Sequence, residues 1–212
     1  MILRIIKTKK EANNCFSLIL QKPTNFNFYP GQYLDIELKN DARAFTISSS
    51  PTENFLMVTT KEGTKLFKKA MQVLNAGNTI TTSHPAGTFT LDESTSAVFI
   101  AGGIGITPFR SMIKYVLDQK LTTPITLIYS NSDDNFLFKE ELSEWQKQLP
   151  NLTIHYIVTN KTGRLTHLPL ATHYLPIYYL AGSHNMVNEF EKILLNQGID
   201  QINIRYDRFD GY

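Results

Sequence analysis

Three stretches of this chain carry residues whose types and spacing can do chemistry. In the first, Ala101-Gly102-Gly103-Ile104-Gly105-Ile106-Thr107-Pro108 follows the apolar run 97–100 and leads into an amphipathic run. Strand, glycine turn and helix in that order are what a pyrophosphate site needs. Glycine lets the main chain approach the phosphates, and the N–H groups and dipole of a helix start favour an anion. Pro108 suits the first helical turn, where its missing N–H is no loss. The spacing is GGxGxTP rather than GxGxxG, so a tight turn without a ligand is the competing reading.

The second stretch is Arg43-Ala44-Phe45-Thr46-Ile47-Ser48-Ser49-Ser50. Period-two alternation puts Arg43 and Phe45 on one face of a strand and Thr46 on the other. Arginine clamps a phosphate, a flat ring stacks on a heterocycle, and a threonine hydroxyl donates to a ring nitrogen. Taken alone, the segment is an ordinary strand with a snorkelling arginine. The third stretch, Gly63-Thr64-Lys65, precedes a helical pattern. Its N–H groups and the Thr64 hydroxyl meet a phosphate or cap the helix, and one side chain can do both.

Other chemistries find little footing. His84, His155, His167, His173 and His184 show no HxxxH or HExxH spacing, and the single cysteine, Cys15, adds no second thiolate, so no metal site is expected. For the same reason the sequence provides neither an intrachain disulfide nor the four thiolates of an iron–sulfur cluster. Ser130 lacks the G-x-S-x-G elbow of serine hydrolases.

The elements that must position these residues fall into two textures. Up to about residue 93, short alternating runs at 2–7, 15–20, 32–38, 44–48, 55–60 and 78–83 are separated by turn residues, with one helical pattern at 64–74. Six short strands and one helix predict a small closed antiparallel β-barrel. From residue 94 the runs 97–100, 125–129, 152–158 and 177–181 alternate with helical patterns at 107–117, 137–148 and 186–195. That is the signature of a parallel α/β sheet with crossover helices. The expected organisation is therefore two domains, 1–93 and 94–212.

Composition agrees. The 212 residues are 42% hydrophobic and 19% charged, enough to bury a core, and a net charge of +2 gives no reason to expect a nucleic-acid partner. No apolar run approaches a membrane span and the N-terminus has no apolar h-region, so a cytoplasmic protein is expected.

The motifs together resemble the ferredoxin–NADP reductase superfamily over nearly the whole chain. Arg43-Ala44-Phe45-Thr46 resembles its RxYS/T flavin motif and Gly102-Gly103-Ile104-Gly105-Ile106-Thr107-Pro108 its nicotinamide-dinucleotide motif. Tyr29-Pro30-Gly31-Gln32-Tyr33 looks like its PGQY/F segment, His84-Pro85-Ala86-Gly87-Thr88-Phe89 like GPxGxF, and Tyr129-Ser130 like the end of its second nucleotide-domain strand. The resemblance implies an FAD-binding barrel followed by an NAD(P)-binding domain. Arg43 would hold the flavin phosphate, Phe45 would stack on the isoalloxazine, and Thr46 would donate to flavin N5, with Ala44 and Ser48 in the same contact segment. Gly63, Thr64 and Lys65 would meet the second phosphate of FAD. Gly102, Gly103, Gly105, Thr107, Pro108, Ser130, Gly182 and Met186 would contact the dinucleotide. Where the family has C-G-P-x-x-M, this chain has Ala181-Gly182-Ser183-His184-Asn185-Met186, without the cysteine and the proline.

Asp133 and Asp134, just past the second strand, offer carboxylates and no cation where a 2′-phosphate would bind, so NADH is expected over NADPH. The tail, Arg205 to Tyr212, resembles the aromatic-terminated tails that cover the flavin, with Phe209 and Tyr212 as rival candidates. The implied activity is hydride transfer from NAD(P)H to FAD, then electron delivery to a separate acceptor such as a ferredoxin, a flavodoxin or a partner oxygenase. The alternative is an electron-transfer or sensor subunit with little turnover of its own.

Overall fold

A computed structural model describes residues 1–163, 165–167 and 176–209. The chain forms two compact units, one from Met1–Leu91 together with Thr107–Tyr115, the other from Asp92–Ile106 and from Val116 onward.

The first unit is built on six antiparallel strands: β1 (Ile2–Lys10), β2 (Cys15–Gln21), β3 (Tyr33–Leu38), β4 (Asp41–Thr46), β5 (Phe55–Lys61) and β6 (Thr79–Thr82). The sheet order is β4-β3-β6-β1-β2-β5. Period-two burial sets the register. Leu34 and Ile36 of β3 face the core, and opposite them on β4 stand Phe45 and Arg43. The β3–β4 hairpin turns through Lys39 and Asn40, both at positive φ, the geometry whose twist matches paired strands. Helix α1 (Leu66–Gln72) turns Phe67 and Met71 into the same core.

Three expectations are corrected here. The sheet is not closed as a barrel, because beyond the end of β4 only a single bridge, Ile47 to Val58, reaches β5. Strand β4 begins at Asp41 and stops at Thr46, earlier at both ends than the 44–48 read from alternation. Helix α1 is also shorter than the expected 64–74.

The second unit is a five-stranded parallel sheet of order β11-β10-β7-β8-β9. Its strands are β7 (Ala97–Gly102), β8 (Ile125–Asn131), β9 (Leu152–Val158), β10 (Ile177–Ser183) and β11 (Ile204–Phe209). The crossovers include α2 (Ile106–Asp118), α3 (Lys139–Gln148) and α5 (His184–Asn196), with the short α4 (Thr159–Thr162) after β9. Helix α3 starts two residues later than its apolar pattern because Phe138 is left-handed at φ 61. The last strand starts at Ile204, while Ile202 lies in a 3-10 turn and is exposed. Chain order leaves β7 for β8 on one side and comes back to β10 on the other. The direction of winding therefore reverses between β7 and β10, and ligands enter such sheets at the carboxyl ends of the strands at this switch point.

Candidate functional site

In the second unit the switch point gathers the glycine-bearing turns. A 3-10 turn, Gly103–Gly105, links β7 to α2, and Pro108 stands in the first turn of that helix as expected. Gly105 is forced by contact, since a Cβ there would lie 2.0 Å from the Ala181 carbonyl oxygen at the end of β10. Gly102 makes room for a side chain, because a Cβ there would meet the Met186 sulfur at 1.8 Å. The motif thus brings the turn down onto β10, and the Tyr129 hydroxyl holds it by donating to the Gly103 carbonyl at 3.1 Å.

Beside this turn is a cavity of about 240 Å³ lined by Ser130, Thr159, Leu165, Ser183, Asn185, Met186, Glu189 and Phe190. Hydroxyl and amide groups suit a ribose, and Leu165, Met186 and Phe190 suit the face of a purine. Ser130 and Met186 were read from the sequence; Glu189, the charged one among the described lining residues, was not. Asp133 is turned elsewhere: its carboxylate accepts from the Asn135 backbone N–H at 3.0 Å and the Asn131 amide at 3.2 Å, capping its own loop. Asp134 pairs with Lys161. His184 is an exposed residue in the first turn of α5.

Strand β11 carries Phe209 to the sheet's C-terminal edge, opposite Ser183. Tyr212 lies outside the described residues. One strand position earlier on the same face, opposite Ala181, is Asp207, which the sequence reading passed over. Burial pushes its carboxyl up to about 6. A lone carboxylate in a short terminal strand carries no spacing signal, which is why it was missed.

In the first unit the flavin-type segment is only partly laid out as the resemblance implies. Arg43 is half-exposed, and its guanidinium donates twice to Asp41, at 2.8 and 3.0 Å. Ala44 and Thr46 share the other face, Thr46 opposite Tyr33. Phe45, however, is 6% exposed and belongs to the core, its ring stacked on Phe67 with centroids 5.9 Å apart. Ser48 is fully buried, its hydroxyl donating to the Met57 carbonyl at 3.0 Å and bonding the Thr59 hydroxyl at 3.0 Å. Both side chains are held by these protein partners.

At α1 the N-cap position belongs to Lys65, with no side-chain cap bond, and Thr64 is exposed. Gly63 accommodates the stem of Lys68, whose Cγ and Cβ would stand 3.1 and 3.2 Å from an added Cβ. Lys68 is 7% exposed. Its ammonium donates to the Thr60 hydroxyl and lies 5.2 Å from the centroid of Phe45. Burial pulls its pKa down to about 8.

Among the described residues there is no cluster of three or more His, Cys, Asp or Glu able to hold a metal ion, and no helix long and apolar enough to cross a membrane.

Known proteins resemble this chain in sequence and in fold. The oxidoreductase NAD-binding domain matches residues 99–192. The chain is 27% identical over 168 residues to the glycine betaine monooxygenase reductase subunit of Pseudomonas aeruginosa, covering 74% of this chain and 46% of that one. It spans about half the length of that relative. Among solved structures, the flavohem-like FAD/NAD binding domain of nitric oxide dioxygenase from Vibrio cholerae superposes with a TM-score of 0.84 at 19% identity, covering 98% of both chains. A ferredoxin-NADP+ reductase from Plasmodium falciparum gives a TM-score of 0.85 at 22% identity, covering 98% of this chain and 95% of that one. At these identities the structural likeness is one of fold.

Proposed function

We propose that this chain is a member of the ferredoxin–NADP reductase superfamily that takes a hydride from NADH with a bound FAD and passes the electrons to a separate acceptor. The observation that carries the reading is the switch point between β7 and β10, where the close-packed glycine turn adjoins a cavity with a ribose-like and purine-like lining. NADH is favoured over NADPH because the charged group among the described lining residues is a carboxylate, Glu189, which accepts from a 2′-hydroxyl and repels a 2′-phosphate.

FAD is supported by the likeness to the FAD/NAD binding domain from V. cholerae and by the donor set of the first unit. Arg43, two residues before Phe45 on β4, and Lys68, whose ammonium lies 5.2 Å from the Phe45 ring, are two cations of this segment, chemistry that suits an anionic nucleotide. When bound, the flavin supplies the conversion of a two-electron donor into electrons for another carrier. Arg43 would anchor its phosphate, the Thr46 hydroxyl would donate toward the ring, and Ala44 would leave the approach open. In the second unit the glycine turn and Thr107 would meet the dinucleotide phosphates while Ser130 and Ser183 hold the ribose. Phe209 would act as the aromatic at the sheet edge, and Asp207 holds a proton on its carboxyl below about pH 6.

The acceptor is proposed to be a partner oxygenase component, on the strength of the monooxygenase reductase relative. Anaerobic mixing of the flavin-loaded protein with NADH tests the reading, with rapid bleaching of the flavin absorbance as the expected result. A protein that binds neither FAD nor FMN overturns it. A flavin that stays oxidised under NADH leaves an electron-transfer subunit without turnover.

A further inference from the structure

Met186 stands where a thioether fits and an oxidised one does not. Of the five methionines, Met57, Met71 and Met112 are buried, and Met1 is partly buried against the core of the first unit. Met186 is half-buried and lines the cavity at the switch point. Its sulfur sits between two glycines at the carboxyl ends of neighbouring strands. A Cβ on Gly102, the last residue of β7, would lie 1.8 Å from the sulfur, and one on Gly182, near the end of β10, would lie 3.0 Å from it. Both glycines thus leave their side-chain space to this one atom. The Gly102 carbonyl oxygen borders the same space, 3.3 Å from the Gly182 Cβ position. An apolar, flexible thioether fits such a gap without a hydrogen-bond partner.

We propose that Met186 is a modification site, at which hydrogen peroxide oxidises the sulfur to the sulfoxide and the modified side chain closes the cavity to the nicotinamide dinucleotide. This rests on the reading of that cavity as part of the dinucleotide site. In the step, the sulfur attacks one peroxide oxygen, an S–O bond forms as the O–O bond breaks, and the other oxygen leaves as water with both peroxide protons. The sulfur gives up two electrons and the peroxide takes them. The product is a polar side chain that carries an acceptor oxygen. Toward Gly102 and Gly182 that oxygen has no room, and the Gly102 carbonyl, itself an acceptor, offers it no hydrogen bond. It turns instead into the cavity, where it engages the Ser130 or Ser183 hydroxyl that a ribose would use and fills space beside Phe190. Cys15, the other sulfur type open to oxidation, is buried, and desolvation pushes its thiol up to about 11, which leaves little thiolate for a peroxide.

The test is the NAD⁺ affinity of the flavin-loaded protein, measured by calorimetry before and after hydrogen peroxide, with the sulfoxide located by peptide mass spectrometry. Sulfoxide is expected at Met186 ahead of Met57, Met71 and Met112. The dissociation constant for NAD⁺ is expected to rise at least about tenfold, the scale of one buried acceptor left without a donor. Methionine sulfoxide reductase is expected to restore both the thioether and the affinity. Met186→Leu, whatever its own starting affinity, is expected to keep it through the same treatment. A Met186 that stays reduced under peroxide overturns the proposal, as does sulfoxide at Met186 with unchanged affinity or an equal loss in Met186→Leu. An affinity that stays lost after the reductase has cleared the sulfoxide overturns it too, and this arm needs no variant. Wild-type protein that binds no NAD⁺ before treatment removes the dinucleotide reading itself, a result distinct from these.

Discussion

Single side chains in this protein are set by what surrounds them, and four substitutions read that out. Arg43→Ala removes a charge-assisted phosphate contact worth about 1.5 to 3 kcal/mol and is expected to weaken flavin retention roughly tenfold or more. Asp41→Asn, which releases the guanidinium from its carboxylate, is expected to tighten retention; dissociation constants from flavin fluorescence check both. In the cavity, Glu189→Lys replaces repulsion of a 2′-phosphate by attraction, so the ratio of kcat/KM for NADH to that for NADPH is expected to fall by about tenfold or more. Asp207 is read by pH. Its folded-state pKa of about 6 exceeds its ordinary 3.8, so the folded protein holds a proton that the unfolded chain has released. Its contribution to stability is therefore intact below about pH 4 and is lost as pH rises through 6. Asp207→Asn is expected to raise the unfolding free energy at pH 7 by about 1 to 3 kcal/mol and to leave it unchanged near pH 3.5, as urea titrations at the two pH values would record.

At the scale of elements, helix α2 shows what a sequence discloses and what it withholds. Its glycine-turn start, its Pro108 and its apolar stripe were legible because they are local, set by spacing along the chain. The tasks of Arg110 and Ser111 were not, because their partners lie about sixty residues away. Arg110 donates to the Ser48 carbonyl at 2.8 Å and pairs with Glu53 at 3.0 Å, and the Ser111 hydroxyl donates to the Ser49 carbonyl at 2.6 Å. The protein partners of Phe45 and Ser48 were hidden for a related reason. Alternation states which face a residue takes, but only tertiary packing decides whether that face meets ligand, α1 or β5. The Arg110 and Glu53 side chains are 3% and 11% exposed, so removing one strands the other's charge out of water. Glu53→Ala is expected to cost about 3 to 5 kcal/mol, and the double variant Arg110→Met with Glu53→Leu distinctly less, measured as denaturant midpoints.

For the whole molecule, the change of texture near residue 94 reads the chain as two successive segments, yet its compact units are not successive. The first unit takes in Thr107–Tyr115 as well as Met1–Leu91. Within it, Phe109 packs against Phe89 with ring centroids 5.9 Å apart, and Gly31 backs onto the Met112 methyl, which an added Cβ would approach to 2.6 Å. Hydrophobic periodicity cannot reveal such an exchange, since a helix stripe looks the same whichever sheet it covers. A fragment of residues 1–91 would therefore lose the helix face that covers Phe89, Ser49 and Glu53, and would expose a carboxylate and carbonyls whose partners are gone. Its thermal midpoint is expected to fall below that of the intact chain, with raised binding of a hydrophobic dye as the sign of the uncovered face. Extending the fragment through residue 115 restores Phe109, Arg110, Ser111 and Met112, and is expected to recover part of the midpoint and reduce the dye binding. Equal midpoints for the two fragments would mean that the first six strands stand without the helix.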